Sequence, residues 1–264
     1  MRIPIHHVDA FASQPFAGNP AAVCPLEEWL ADAVLQAIAA ENNLSETAFV
    51  VRNDDGFEIR WFTPATEVDL CGHATLATAH VLFAADPARQ ELRFSSRSGT
   101  LWARRDGDRI QLDFPVRAPK PIEPVPALEA ALGASPRELL LSRDYLALFD
   151  TEAQVRALEP DMEALVALDV FGVMATARGD DCDFVSRFFA PAEGIPEDPV
   201  TGSSHCTLVP FWAARLGRTT LHARQVSDRG GELFCRLAGD RVRISGHAIT
   251  YMEGAIELAD GPKR

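Results

Sequence analysis

No apolar run in this 264-residue chain approaches the roughly 20 residues needed to cross a bilayer. The opening stretch, Met1-Arg2-Ile3-Pro4-Ile5-His6-His7-Val8-Asp9, reads as a strand and not as a signal peptide. Basic residues are few, 25 against 38 acidic ones, and the formal net charge of −13 disfavours nucleic acid and anionic membrane as partners. The acid is spread along the chain, which points to solubility and not to a binding tail. Cysteines number five, an odd count without metal-type spacing, so a reducing, cytoplasmic setting is expected. No Gly-x-Gly-x-x-Gly or Walker-type loop is present. Gly202-Ser203-Ser204 lacks the spacing of a nucleophile elbow. His73, His80 and His205 form no recognised metal set, and Cys206 and Cys235 read as core thiols, so no metal is expected.

What the chain does have is a pattern stated twice. Residues 60–67 read Arg-Trp-Phe-Thr-Pro-Ala-Thr-Glu, and residues 187–193 read Arg-Phe-Phe-Ala-Pro-Ala-Glu. Each is followed by a small Gly-containing turn and an apolar helical run. The first turn is Cys71-Gly72-His73-Ala74-Thr75; the second is Asp198-Pro199-Val200-Thr201-Gly202-Ser203-Ser204. Further on, residues 99–112 match residues 231–244, with Gly107-Asp108-Arg109 aligned on Gly239-Asp240-Arg241. The period is about half the chain, which means an internal duplication and not a solenoid of short repeats. At 47% apolar and 24% charged residues, the composition is that of an ordinary globular protein with a sizeable core.

The periodicities predict strands at 8–11 and 21–24, a helix at 27–40 started by Glu27 and Glu28, and a hairpin of 47–52 with 57–62. A helix over 73–85 and strands near 91–95, 100–105 and 109–114 close the first half. Five prolines between 115 and 126 mark a linker. The second half is expected to hold a helix near 127–132 and strands near 138–142 and 145–149. A Thr151-capped helix at 152–158 and one opened by Pro160 at 161–167 follow. Strands at 171–177 and 183–189 lead to a helix at 204–216 in which Pro210 invites a bend or late start. Strands near 221–226, 232–237, 241–245 and 248–257 end the chain. Strands with few helices, in two copies, give an α+β fold of two pseudo-symmetric halves, each a curved, mostly antiparallel sheet around a central helix. The halves are placed at residues 1–118 and 119–264, with the last strand free to return to the first half.

Three segments carry candidate chemistry. Glu46, just before an apolar strand, is a general acid or base if a closed cleft buries it, and a solvated strand-end glutamate otherwise. In the Cys-Gly-His turn, Gly72 permits close backbone approach and the helix start offers N–H groups to a carboxylate or enolate oxygen. His73 in the first helical turn is expected to have its pKa lowered by the dipole. Cys71 is either a thiolate base or a buried small thiol. In the second turn, Gly202 and Ser203 offer N–H donors and Asp198 can orient a substrate amine or hydroxyl; an ordinary helix cap is the alternative.

Together these blocks resemble the PhzF-like family, named for the phenazine-biosynthesis isomerase. The matching residues are Val8-Asp9-Ala10-Phe11, Gly18-Asn19-Pro20, Leu44-Ser45-Glu46-Thr47-Ala48-Phe49, Trp61-Phe62-Thr63-Pro64 and Glu67-Val68-Asp69-Leu70-Cys71-Gly72-His73-Ala74-Thr75. Phe189-Ala190-Pro191 and Glu197-Asp198-Pro199-Val200-Thr201-Gly202-Ser203 complete the set. The resemblance implies a diaminopimelate-epimerase-like fold and a homodimer without cofactor. It implies that Glu46 is the proton-shuttling acid/base and that His73 and Asp198 flank the reacting carbons. Gly72, Gly202, Ser203 and Asn19 are then substrate-binding. The related epimerases place a catalytic cysteine in each half; here the second turn has none, which disfavours a symmetric two-thiol racemase. The expected activity is therefore an isomerase that moves a proton between carbons of a small carboxylate. The other readings are a single-thiol racemase or epimerase using Cys71 and a non-catalytic small-acid-binding protein. All of them ask the two turns to face one another across a shared crevice.

Overall fold

The computed structural model describes residues 1–258 and divides into two units, Met1–Asp113 with the chain from Gly246 on, and Phe114–Ser245. The last six residues of the expected second half, 259–264, lie outside the described residues.

In the first unit, β1 (Arg2–Ala10) is flanked by β2 (Asn19–Leu26) and by the last strand, Ala248–Glu257, both antiparallel to it. β2 runs parallel to β3 (Glu46–Asn53), which turns back into β4 (Gly56–Phe62). A two-residue β5 (Glu67–Val68) pairs with β4, and β4 runs parallel to β6 (Glu91–Ser96). β7 (Gly99–Asp106) and β8 (Arg109–Pro115) continue antiparallel.

Two helices sandwich these strands. α1 (Asp32–Asn42) packs Leu35, Ile38 and Ala39 with Ile3, Ile5, Ala22, Cys24, Phe49 and Phe62. α2 (Gly72–Ala85) buries ten residues and contacts β1, β2 and β3. A helix apolar on all sides belongs inside a domain. Helices that claim both faces of β3 explain its unbroken buried run from Glu46 to Val51. The first helix starts later than residue 27, because β2 extends to Leu26; Asp32, and not Glu27 or Glu28, is the acid of its first turn. Asn43 in the left-handed region, φ 48°, ends it.

Gly18 also has a left-handed backbone, φ +68°, and a Cβ there would lie 2.2 Å from the Ala10 carbonyl oxygen. Gly107 has the same φ with nothing within 4 Å. Gly18→Ala is therefore expected to lose at least about 2 kcal/mol in urea unfolding, against about 1 kcal/mol for Gly107→Ala. Equal losses would show that the close approach before Asn19 is not a constraint.

The second unit repeats the plan. β9 (Lys120–Pro121) and β11 (Tyr145–Leu148) flank β10 (Glu138–Leu141), both antiparallel to it. β11 is parallel to β12 (Val173–Arg178), which is antiparallel to β13 (Phe184–Phe189). β13 is parallel to β14 (Thr220–Gln225), followed antiparallel by β15 (Gly231–Ala238) and β16 (Arg241–Gly246). The alternation of parallel and antiparallel neighbours matches β2 to β8 pair for pair, if β5 is set aside. β9 stands beside β10 as β17 (Ala248–Glu257) stands beside β1.

Three short helices, α3 (Pro126–Leu132), α4 (Glu152–Arg156) and α5 (Met162–Val166), cover one apolar cluster. Thr151 and Gln154 form the capping box of α4, and Asp161, not Pro160, caps α5. α6 (His205–Leu216) runs through Pro210 without ending. Proline there leaves the Cys206 carbonyl without its intrahelical donor. The Arg117 N–H, 2.9 Å away, fills that role, so the proline-rich segment repairs the bond that Pro210 removes.

Candidate active site

In the first unit, three side chains converge on one imidazole. Glu46 is the first residue of β3, paired with Ala21 of β2; Asn19 is the first residue of β2, paired with Ala10. Cys71 caps α2 and His73 is its second residue. The Glu46 Oε2 lies 3.0 Å from His73 Nε2. Asn19 Nδ2 lies 3.0 Å from Nδ1, and the Cys71 Sγ lies 3.5 Å from the same nitrogen. All four are sealed from solvent, with Glu46 only 7% exposed. The solvated-glutamate alternative is therefore excluded. The first N–H groups of α2, at Gly72 and after it, have no intrahelical acceptor.

Burial pulls the His73 imidazole down, but its interactions with Cys71 and Glu46 outweigh it, and His73 stands well above the usual histidine value. Burial, then the Glu46 charge, push the Cys71 thiol up to about 11. At neutral pH Cys71 is thus a thiol. One expectation is corrected here and one open alternative is decided. The helix dipole does not leave His73 with a lowered pKa, because an ion partner at 3.0 Å dominates a partial charge spread over a turn. Cys71 is not activated by the same helix start, because desolvation of a thiolate costs more than the dipole returns. With Asn19 Nδ2 donating, Nδ1 accepts and the Nε2 proton points at Glu46; an imidazolium requires the Asn19 amide to present its oxygen instead. Glu46, Cys71 and His73 also offer three donor atoms within 4.8 Å of one another, types a metal ion accepts, although thiol coordination would first remove the Cys71 proton.

The second unit contains Asp198, Gly202 and Ser203 in the turn that opens α6. Thr201 Oγ1 donates to Asp198 Oδ2 at 2.6 Å. The Thr201 carbonyl lies 2.8 Å from both Ser204 Oγ and His205 Nδ1. Gly202 is buried and Ser203 half-buried. Ser204, the residue before α6, makes no cap bond to an N–H, and its hydroxyl faces back into the turn.

Two features escaped sequence reasoning. Arg60 grips both oxygens of Glu67 (2.7 and 2.8 Å), and Arg187 grips both oxygens of Glu197 (2.8 and 2.7 Å). Each fork closes the loop leading to a site turn, and Glu197 immediately precedes Asp198. The repeat held the signal, since Arg60 aligns with Arg187; the two glutamates fall three residues out of that register, 127 against 130, which hid the pairing. The second missed residue, Gln225, has no motif around it.

A family model described as phenazine biosynthesis-like protein matches residues 8–254. An uncharacterized isomerase of Pseudomonas aeruginosa is 55% identical over 98% of this chain and 100% of its own length. An uncharacterized isomerase of Halalkalibacterium halodurans is 45% identical with the same coverage. A crystal structure of a phenazine biosynthesis protein of the PhzF family from Enterococcus faecalis superposes with a TM-score of 0.96 at 50% identity, covering 98% of this chain and 100% of that one.

Proposed function

This chain belongs to the phenazine biosynthesis-like (PhzF) family and has its α+β, diaminopimelate-epimerase-like fold; from that premise we propose that this isomerase-type enzyme moves a proton between two carbons of a small carboxylate substrate. The observation that carries the reading is the buried Glu46–His73 ion pair at the start of α2.

In the proposed cycle, the Glu46 carboxylate takes a proton from an activated carbon and becomes a carboxylic acid, leaving the electron pair delocalised in the substrate. The carboxylic acid, its proton exchanging with water between the two steps, then delivers a proton to a different carbon, restoring the carboxylate, so atoms and charge balance. His73 faces the Glu46 carboxylate at 3.0 Å. N–H donors at Gly72, Gly202 and Ser203 hold the substrate carboxylate, each donor of this kind contributing about 3–4 kcal/mol in other enzymes. Asp198 flanks the reacting carbons from the second unit's turn and orients a substrate amine or hydroxyl. Asn19 acts through the His73 ring. The reaction as drawn uses no cofactor. A homodimeric, cytoplasmic enzyme is part of the same proposal; among the described residues, no helix is long and apolar enough to cross a membrane.

The test is a panel of small amino and hydroxy carboxylates incubated in heavy water, with Glu46→Gln as the blank. Deuterium uptake at carbon by the wild type alone supports the proposal; equal uptake by both removes Glu46 from the mechanism.

One observation favours a second reading: the Cys71 Sγ lies 3.5 Å from His73 Nδ1, the geometry of a thiol–imidazole pair. Its pKa of about 11 speaks against it. Only about one thiol in 10⁴ is then ionised at pH 7, so iodoacetamide should modify Cys71 at least about 30-fold more slowly than free cysteine. Rapid alkylation with loss of activity, together with a tolerated Glu46→Gln, would install the thiol reading.

A further inference from the structure

The turn that carries Asp198 is not held by its own residues alone. Gln225, the last residue of β14 and only 1% exposed, reaches across to it with every polar group it has. Its Nε2 donates to the Asp198 carbonyl at 2.6 Å and to Thr201 Oγ1 at 3.1 Å, while its Oε1 accepts from the Thr201 N–H at 2.8 Å. Thr201 in turn donates its hydroxyl proton to the Asp198 carboxylate at 2.6 Å. Two residues beyond Gln225, the Ser227 hydroxyl donates to the Pro199 carbonyl at 2.8 Å. The backbone from 198 to 201 is thus pinned at both ends by one amide from another strand.

We propose that Gln225 is a positioning residue for the isomerase reaction, one that fixes the Asp198 carboxylate by orienting the Thr201 hydroxyl and clamping the 198–201 turn. This rests on the assignment of Asp198 above. The amide is suited to the task because it supplies two donors and an acceptor in one plane, and a buried amide left unmatched would be costly. A carboxylate could not donate to the Asp198 carbonyl, and a shorter Asn could not span to both ends. The bond from Thr201 stabilises the ionised Asp198, so loosening Thr201 raises the pH at which Asp198 takes up a proton. Glu197, the adjacent acid, stays paired with Arg187 in every variant below and does not confuse that readout.

Two variants of the full chain test this. Gln225→Met keeps the volume and loses all three bonds. Gln225→Glu keeps the acceptor for the Thr201 N–H and loses both donors. The Asp198 carboxyl is followed by carbon-13 NMR in aspartate-labelled protein, with its signal identified by Asp198→Asn. Both variants should raise its titration midpoint by about half a pH unit or more. A lowered melting temperature with an unmoved midpoint overturns the proposal, because a merely structural glutamine would do that.

The kinetic counterpart uses whichever carboxylate of the heavy-water panel shows exchange. Gln225→Met should lower kcat by about 10- to 100-fold with KM within about threefold, and in an Asp198→Asn background it should cost nothing more. Multiplying losses would mean that Gln225 does not act through Asp198. If Asp198→Asn itself leaves exchange unchanged, the assigned role of Asp198 fails, and the titration still decides whether Gln225 governs that carboxylate.

Discussion

Glu46→Gln is expected to slow solvent-hydrogen exchange into substrate by about 10³-fold or more while the protein stays folded. General acid–base groups typically contribute 10²–10⁴-fold, and here one carboxylate is asked both to remove and to return the proton. The substitution is nearly isosteric, and Glu46 sits at the start of a strand whose following residues are locked between α1 and α2. The effect should therefore fall on chemistry and not on folding.

The same change has a second readout that needs no substrate. His73 stands above its usual value through its charged and hydrogen-bonding neighbours, opposed by burial. With Glu46 uncharged, one of the two neighbours that hold the ring up is lost, and the His73 ring should titrate lower than in the wild type. Proton–carbon NMR of the ring Cε1 measures this directly. The sign for stability follows. A histidine raised in the folded state stabilises most below its unfolded value of about 6.5, and that contribution is lost as pH rises through the folded value. Glu46→Gln should shrink this alkaline loss. A variant that still exchanges at the wild-type rate would end the role of Glu46 whatever the titration shows.

The second large effect concerns His205, which has no part in the proposed proton transfer. Burial lowers it to about 4, only partly opposed by its bond to the Thr201 carbonyl. The Nδ1 proton makes that bond at 2.8 Å, and the ring lies against Phe184. Folded, the imidazole is neutral; unfolded, it takes up a proton near 6.5. The unfolded state therefore binds more protons between those values, and stability falls as pH drops from about 6.5 to about 4. The gap corresponds to about 3 kcal/mol. His205→Asn, whose amide can donate in place of Nδ1–H, should abolish that acid-side loss. The comparison must be made as a difference between the two proteins, since carboxylates titrate over the same acid range in both. Urea unfolding at pH 4, 5, 6 and 7 reads it. Parallel curves for the two proteins would show that His205 is not the acid-sensitive group.

How much of this could be read before folding depends on the range of the interaction. The hairpin of 47–52 with 57–62, helix 73–85 and its twin near 204–216 follow from periodicity and turn residues, which act within a few positions. The start of α1 was misplaced because two glutamates after Pro25 look like a helix entry, whereas pairing of β2 with β1 and β3 carries the strand to Leu26. Pro210 suggests a bend or late start because the donor that replaces its missing N–H comes from residue 117. His73 was assigned a lowered pKa because the dipole is local and visible in sequence, while Glu46, 27 positions earlier, is not. Gln225 left no trace at all, for a glutamine at a strand end looks like any other.

The order of residues alone determined the duplication, the α+β class, the family likeness and the polar residues worth watching, because these are properties of composition, spacing and repeated wording. Tertiary structure decided the charge states of His73 and Cys71, the neutrality of His205 and the hold of Gln225 on the Asp198 turn. Those depend on which groups lie within about 3 Å of one another and on the water removed around them, and neither quantity is written in the distance along a chain.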